Sequence, residues 1–520
     1  MLGVADLPNL DTDLCARLRD AFRTHRYDAD GVLELLGPRA HAALGRGEPE
    51  LASRASRNAG PLGTLIRVFL LGEPAQAGEL SAALDPLPLG EAIAGGLLTG
   101  SADRLRAALD VRPHADQETS WWVIADLDSG QLGERVPPDH VLGIGQASHS
   151  LVRATTRRPV DTLLDLGTGC GVQSLHASRH ANGITATDVA PRALALAAAT
   201  FRLNELDVEL LEGEWFTPVA RRRFDQIVCN PPFVVGPPKV DYVYRDSGLT
   251  GDDASSLLVR QLPAFLNPGG VGQLLASWLH RTGEDWSDRV RSWLPPAGLD
   301  AWFVQRDVAD PGLYVGTWLR DAGIDPRSAE GKAKAAAWLD WFEANDVEGV
   351  GFGFVTFRRT GDVDGEVVCE DLRQAYDDPL GVEAAGWLDR VDWLRAHASA
   401  QGLLDARLVV ADGVVLERID EPADEGWHTI TRRLHRTNGP GWRHELDELS
   451  ASLLAGCRGA LTLGDLLALL AAAHDQPVDE LVGAALPAVR DLIRHGMLLP
   501  ADGWEPSAPP EPPETAQGAP

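Results

Sequence analysis

The apolar positions of this chain change their spacing twice, and the changes divide it into three parts. Up to about residue 118 they recur at helical intervals. Leu14, Leu18 and Phe22 stand four apart, as one face of a helix requires. Gly60-Pro61 interrupts the pattern before a second apolar stretch from Leu62 to Leu71, and Ser120–Ala125 reads as a strand. These features predict a mainly helical N-terminal domain over residues 1–134, either a substrate-recognition domain or a stabilising cap.

From 135 to 362 short apolar runs alternate with helical stretches. Strands are expected at Thr162–Leu166, Ile184–Asp188, Val208–Leu211, Phe224–Asn230, Val271–Ser277, Ala301–Val308 and Val350–Arg358. The stretch from Pro191 to Asn204, rich in Ala and Leu with Pro near its start, is a helix between two of them. Such alternation predicts an α/β domain with a mostly parallel, doubly wound, Rossmann-like sheet.

Residues 366–500 read as an α+β C-terminal domain. Its end runs helix, helix, helix and short strand, at Glu445–Cys457, Leu463–Ala473, Pro477–Arg494 and Met497–Leu499, a succession compatible with a winged-helix-like end. In the third helix Val478, Leu481, Val482, Ala485, Leu486, Val489, Leu492 and Ile493 form one apolar stripe. Residues 501–520 are rich in Pro, Glu and Ala and are expected to be a disordered tail.

Length agrees with this division, since 520 residues exceed what one core holds and imply roughly three domains. There is no run of eighteen apolar residues, and acidic positions interrupt the first thirty, so neither a membrane span nor a signal peptide is expected. Five scattered cysteines predict reduced thiols in a cytoplasmic protein, without a disulfide frame or a metal site. The net charge of -29 argues against a general polyanion binder, because bulk attraction to phosphate is missing. Lys239, Lys332 and Lys334 are the only lysines among the 47 basic residues.

Chemistry concentrates at the ends of two expected strands. The first runs into Asp165-Leu166-Gly167-Thr168-Gly169-Cys170-Gly171, a glycine-rich turn where backbone can approach a bulky ligand without a Cβ in the way. A dinucleotide fingerprint would place its third glycine at position 172, which is Val172, so a nicotinamide enzyme is disfavoured. Asp188 closes the second strand, where a carboxylate can accept from both hydroxyls of a ribose or cap the helix that begins at Pro191. The segment Val141–Gln146 is also rich in glycine and is either a lid over the ligand or a structural turn.

The fourth strand ends in Asn230-Pro231-Pro232-Phe233. An amine or amide nitrogen attached to a π system is a poor nucleophile because its lone pair is delocalised. The Asn230 side-chain oxygen and the Pro231 carbonyl can each accept an N–H from such a nitrogen and stabilise the positive charge that grows on it. Consecutive prolines fix the turn in advance, and Phe233 can stack on the planar target.

With both motifs in this order, the stretch from Leu163 to Gly270 resembles the class I S-adenosylmethionine-dependent N-methyltransferases that carry an Asn-Pro-Pro-(Tyr/Phe) motif. That group includes rRNA base, adenine-amine and release-factor glutamine methyltransferases. The resemblance implies a seven-stranded methyltransferase sheet with S-adenosyl-L-methionine held by Asp165, Gly167, Thr168, Gly169, Gly171, Asp188 and Asn230. Carried over from the family, Glu214 contacts the adenine amino group and Trp215 packs on the ring, although Trp215 equally suits a core position. The Phe233 version resembles the RNA enzymes. Asn230–Val235 followed by Pro237-Pro238 is also similar to the protein-glutamine branch, which usually has Tyr where this chain has Phe233. The expected acceptor is therefore an RNA or ribosomal base amine, with a protein amide as the alternative and an inert cofactor-binding scaffold as a third reading. Arg432, Arg433, Arg436 and Arg443 lie in an interval without acidic residues, and are either phosphate contacts or the solvated face of a β-ribbon.

Overall fold

The computed structural model describes residues 7–116, 118–128, 131, 137–238, 246–361, 363–374, 380–424 and 426–502. The expected boundary at 134/135, Lys239 and all but the first two residues of the Pro-rich tail lie outside them. The chain forms two compact units. One takes in residues up to 152 with 160–303 and 307–367; the other takes in 153–159, 304–306 and those from 368 onward.

The first unit is built on a sheet that includes, in chain order, the strands β1 (Val160–Leu166), β2 (Ala181–Asp188), β3 (Glu209–Glu212), β4 (Phe224–Cys229), β5 (Leu266–Arg281), β6 (Leu299–Ala309) and β7 (Val347–Arg359). All seven strands anticipated from the apolar runs are present. Their order across the sheet is β3-β2-β1-β4-β5-β7-β6. The pairings β3/β2, β2/β1, β1/β4 and β4/β5 are parallel, whereas β7 runs antiparallel to β5. Parallel strands are covered on both faces, which is why β1 and β4 read as nearly continuous apolar runs.

The N-terminal residues do not form a core of their own. Helix α1 (Thr12–Thr24), capped by Asp11, buries Leu14, Cys15, Leu18 and Phe22. The same apolar cluster contains Leu196, Phe201 and Leu203, which lie on the helix Pro191–Leu203 that follows β2. That helix is Ala- and Leu-rich because it is packed on two sides. The strand Ser120–Ala125 adds to the join, with Asn204 Oδ1 accepting from Trp122 N at 2.9 Å and Asn204 Nδ2 donating to Trp122 O at 2.7 Å. Gly60-Pro61 opens a helix instead of ending one, with Pro in the first turn. Strands at Leu98–Gly100, Arg104–Ala107 and Asp110–Ala115 join the expected Ser120–Ala125 in this mainly helical stretch and were not anticipated.

In the second unit a long antiparallel ribbon, Val414–Ala423 with Gly426–Arg436, is followed by the helices Glu448–Gly456, Leu463–His474 and Val478–Arg494. A strand at Arg458–Thr462 separates the first two helices, and it shares a small sheet with Arg407–Val410 and Leu498–Pro500. The order of elements from 448 to 500 is compatible with the winged-helix-like end. Only the far half of the last helix's stripe is covered: Val489, Leu492 and Ile493 are buried, whereas Val478 is exposed. No helix among the described residues is long and apolar enough to cross a membrane.

Candidate active site

Strand register brings the expected site residues together. Leu166 in β1 stands opposite Thr187 in β2 and Cys229 in β4, and Asp188 stands opposite Glu212 in β3. Gly167, Asp188, Gly213 and Asn230 therefore sit side by side at the carboxyl ends of the strands, where open α/β sheets hold their ligands.

Asp165 shapes the glycine-rich turn from within. Its buried Oδ2 accepts from Thr168 Oγ1 at 2.7 Å, from Ser174 N at 3.1 Å and from Ser174 Oγ at 2.7 Å. Burial pushes this carboxyl up to about 6 despite those hydrogen bonds, which pull it down. The three glycines of the turn are all left-handed but differ in surroundings. A Cβ on Gly167 (φ 76°) or Gly169 (φ 55°) would meet no atom within 4 Å, whereas one on Gly171 (φ 90°) would lie 2.7 Å from the Phe201 ring. Two glycines thus border open space and the third borders the core.

Asp188 holds this turn in place. Its Oδ2 accepts from Gly169 N at 3.0 Å and its Oδ1 from Ala190 N at 2.9 Å. Burial raises its pKa, and the backbone donors of Ala190 and Gly169 oppose the rise. The N-cap of the following helix is Ala190, so Asp188 is not the helix cap. Each of its oxygens retains a second lone-pair site for further donors, such as ribose hydroxyls. At the end of β3, Glu214 is exposed and Trp215 is half-buried with φ 48°. Left-handed backbone is rare for so bulky a residue and is typical of functional turns.

Among the described residues, the turn after β4 holds an unmatched side-chain group. Asn230 Nδ2 donates to Ser148 Oγ at 3.2 Å, while Asn230 Oδ1 is buried and has no hydrogen-bond partner among the described residues. An orphaned acceptor costs about 1–3 kcal/mol unless a ligand supplies its donor. Pro231 is buried and Pro232 half-buried. Phe233 is not an isolated stacking plate: its half-buried ring meets Trp318 and Phe352 edge-on, with centroids 6.5 and 6.4 Å away. Ser277 Oγ donates to the Phe233 carbonyl at 2.7 Å, and Val235 N donates to the Tyr314 hydroxyl oxygen at 2.6 Å.

Tyr314, Trp318 and Trp338 belong to two helices, Pro311–Asp321 and Ala329–Ala344, inserted between β6 and β7. They pack on the segment after the Asn-Pro-Pro-Phe turn so closely that a Cβ on Gly236 would lie 3.5 Å from the Trp338 indole. Sequence reasoning misses this insert, although the alanine run before Trp338 favours a helix. It also misses Ser148 and Gln173; no local pattern marks either.

The open space over Gly167 and Gly169 and the two-sided Asp188 together fit S-adenosylmethionine, and the unmatched Asn230 oxygen offers an acceptor beside them. Comparisons with known proteins agree. Residues 142–247 match the family described as methyltransferase small domain, and residues 24–108 and 385–500 match two domains of unknown function (DUF7059 and DUF7782). A release factor glutamine methyltransferase of Xylella fastidiosa is 34% identical over 177 residues, covering 32% of this chain and 61% of that protein. A ribosomal RNA small subunit methyltransferase C of Salmonella newport is 29% identical over 171 residues, covering 32% and 46%. The match therefore spans less than two thirds of either relative's length. Among solved structures, the Thermus thermophilus 16S rRNA N2 G1207 methyltransferase is 18% identical with a TM-score of 0.26, covering 42% of this chain and 58% of that one. The central sheet of this protein, with its strand order and its match over residues 142–247, is of the class I methyltransferase type, the type that works with S-adenosylmethionine.

Proposed function

We propose that this protein is an S-adenosylmethionine-dependent methyltransferase acting on a planar nitrogen, an exocyclic base amine of RNA. The observation that carries the reading is Asn230 Oδ1, buried without a hydrogen-bond partner among the described residues and held at the end of β4 beside the glycine-rich turn of β1. Bound at that turn, the cofactor supplies an electrophilic methyl group on a sulfonium. Asn230 Oδ1 and the Pro231 carbonyl each accept one N–H of the incoming amine, which turns its lone pair away from the ring plane. Those two acceptors stabilise the charge that develops on nitrogen, as an oxyanion hole does with opposite sign. Phe233 and Trp318 offer aromatic surface beside the turn for a flat acceptor. No side-chain base is required, because the methylated nitrogen is acidic enough to release its proton to water.

A second acceptor, a protein glutamine amide, is favoured by two observations. The 34% identical relative bears the name release factor glutamine methyltransferase. Moreover, two of the four arginines of the C-terminal cluster are engaged: Arg433 pairs with Glu417 and Glu445, and Arg436 Nη2 lies 2.7 Å from Glu383 Oε2. Tritiated methyl transfer to RNA and protein fractions from cells lacking the gene separates the two. Label in RNA supports the base-amine reading, label confined to protein replaces it with the amide, and absence of both label and S-adenosylhomocysteine binding removes the enzyme reading.

A further inference from the structure

We infer that Ser277 is a positioning residue, which anchors the exit of the Asn-Pro-Pro-Phe turn to β5 and so fixes how the turn meets the acceptor nitrogen. The inference rests on the methyltransferase reading above and extends it to a side chain on the neighbouring strand. β4 pairs with β5 as far as Cys229, which stands opposite Leu274. Beyond that pair the chain enters the turn, where Pro231 and Pro232 have no N–H to offer a ladder. β5 nevertheless runs on to Arg281. Past Leu274 two of its N–H groups donate to side chains: Ser277 N to Ser255 Oγ at 3.1 Å, and Leu279 N to Asp252 Oδ2 at 2.9 Å. The turn has left the ladder, and its hold on β5 comes from a side chain.

That side chain is Ser277. Its Oγ donates to the Phe233 carbonyl at 2.7 Å, and the direction is unambiguous because a carbonyl oxygen can only accept. Ser277 and Ser255 are both buried, so bulk water does not compete for either bond. The two groups that meet the acceptor, Asn230 Oδ1 and the Pro231 carbonyl, lie on the span between two anchors. Cys229 holds one end in the ladder, and Ser277 holds the other at Phe233. The prolines set φ at positions 231 and 232 but leave ψ free, and an anchor at each end takes up that freedom. Alignment of this kind is what a reaction between positioned groups depends on. Two residues further on, Val235 N donates to the Tyr314 hydroxyl oxygen at 2.6 Å. Loss of the Ser277 hydroxyl therefore loosens the turn without releasing the segment that follows it.

The test compares Ser277→Ala with the parent chain, with Ser277→Cys and with Ser255→Ala, on whichever RNA or protein fraction the parent labels. Ser255→Ala removes a buried hydrogen bond of the same strand that does not reach the turn, so it shows what loosening β5 alone does. Ser277→Ala is expected to bind S-adenosylhomocysteine as the parent does, while its kcat falls about 5- to 10-fold, equivalent to about 1–1.4 kcal/mol. Ser277→Cys, whose thiol is a weaker donor, should fall between the two. Ser255→Ala should keep the parent kcat even where its urea midpoint drops as far as that of Ser277→Ala. A parent-like kcat in Ser277→Ala, or an equal loss in Ser255→Ala, overturns the inference while leaving the methyltransferase reading intact. A readout without any acceptor is the fluorine resonance of Phe233 in protein labelled with para-fluorophenylalanine, assigned by its absence from Phe233→Leu. Ser277→Ala should shift or broaden that line and Ser255→Ala should leave it in place; an unmoved line in Ser277→Ala also overturns the inference. Failure of the parent to bind S-adenosylhomocysteine sinks the methyltransferase reading itself, and the fluorine line still decides whether Ser277 holds the turn.

Discussion

Alanine placed at each glycine of the turn after β1 should separate packing from ligand binding. Gly171 has φ 90°, and a Cβ there would lie 2.7 and 2.9 Å from two carbons of the Phe201 ring. Phe201 cannot move aside cheaply, since it is 3% exposed in the core shared by α1 and the sheet helices. The left-handed backbone costs an alanine about 1–2 kcal/mol, and overfilling a packed core adds about 1–3 kcal/mol. Gly171→Ala should therefore lose about 2–5 kcal/mol, a large share of the ~5–15 kcal/mol that holds a typical domain folded. Gly167→Ala and Gly169→Ala bear the backbone cost alone, because nothing lies within 4 Å of the new methyl. Their methyls enter the space assigned to the cofactor, so affinity for S-adenosylhomocysteine should drop by at least about tenfold, about 1.4 kcal/mol. Urea unfolding followed by tryptophan fluorescence and calorimetric titration with S-adenosylhomocysteine measure the two quantities. Equal stability of Gly171→Ala and Gly169→Ala, or parent-like binding by Gly169→Ala, would refute the assignment of which glycine faces the core and which the ligand.

Asn230→Ala should reduce methyl transfer by about 100- to 1,000-fold, as loss of an oxyanion-hole donor does, with affinity for S-adenosylhomocysteine retained; a change of about tenfold or less in rate argues against the acceptor role. Two buried groups make opposite contributions to stability with pH. Burial pushes His114 down to about 4, so its contribution of about 3 kcal/mol is complete above pH ~6.5 and is lost as pH falls through 4. Burial pushes Asp165 up to about 6, so its cost is absent below pH ~3.8 and grows to about 3 kcal/mol as pH rises past 6. Asp165→Asn should therefore make stability rise more steeply with pH between ~4 and ~6 than it does in the parent, and urea midpoints showing an unchanged slope would contradict the Asp165 assignment. In the second unit, Glu383 is buried between Arg390 and Arg436. Glu383→Gln should cost about 3–5 kcal/mol by leaving buried guanidinium charge uncompensated, and a loss under about 1 kcal/mol in denaturation would show that the cluster relaxes.

Local patterns in the chain already contained the sheet and the two turns at its rim. Leu163, Leu164 and Leu166 announce a strand buried on both faces, and Asn-Pro-Pro-Phe at the end of another such run specifies a rigid turn, because these properties depend on neighbours in sequence. Register is what placed Gly167 beside Asn230: Leu166 and Cys229 are opposite one another in adjacent parallel strands, a relation that no stretch of sequence displays. The apolar face of α1 was legible, but not that Phe201 from beyond β2 would share its core. A stripe states that something must cover it without stating what, and the last helix shows the converse, with Val489 buried and Val478 exposed on one stripe. Arg433 and Arg436 looked free because their partners Glu383, Glu417 and Glu445 lie outside the interval that contains them or across the strand pair. Ser148 and Asn230 are 82 positions apart. Their hydrogen bond exists only once the sheet has folded, since chain contacts at that distance are set by packing and not by periodicity.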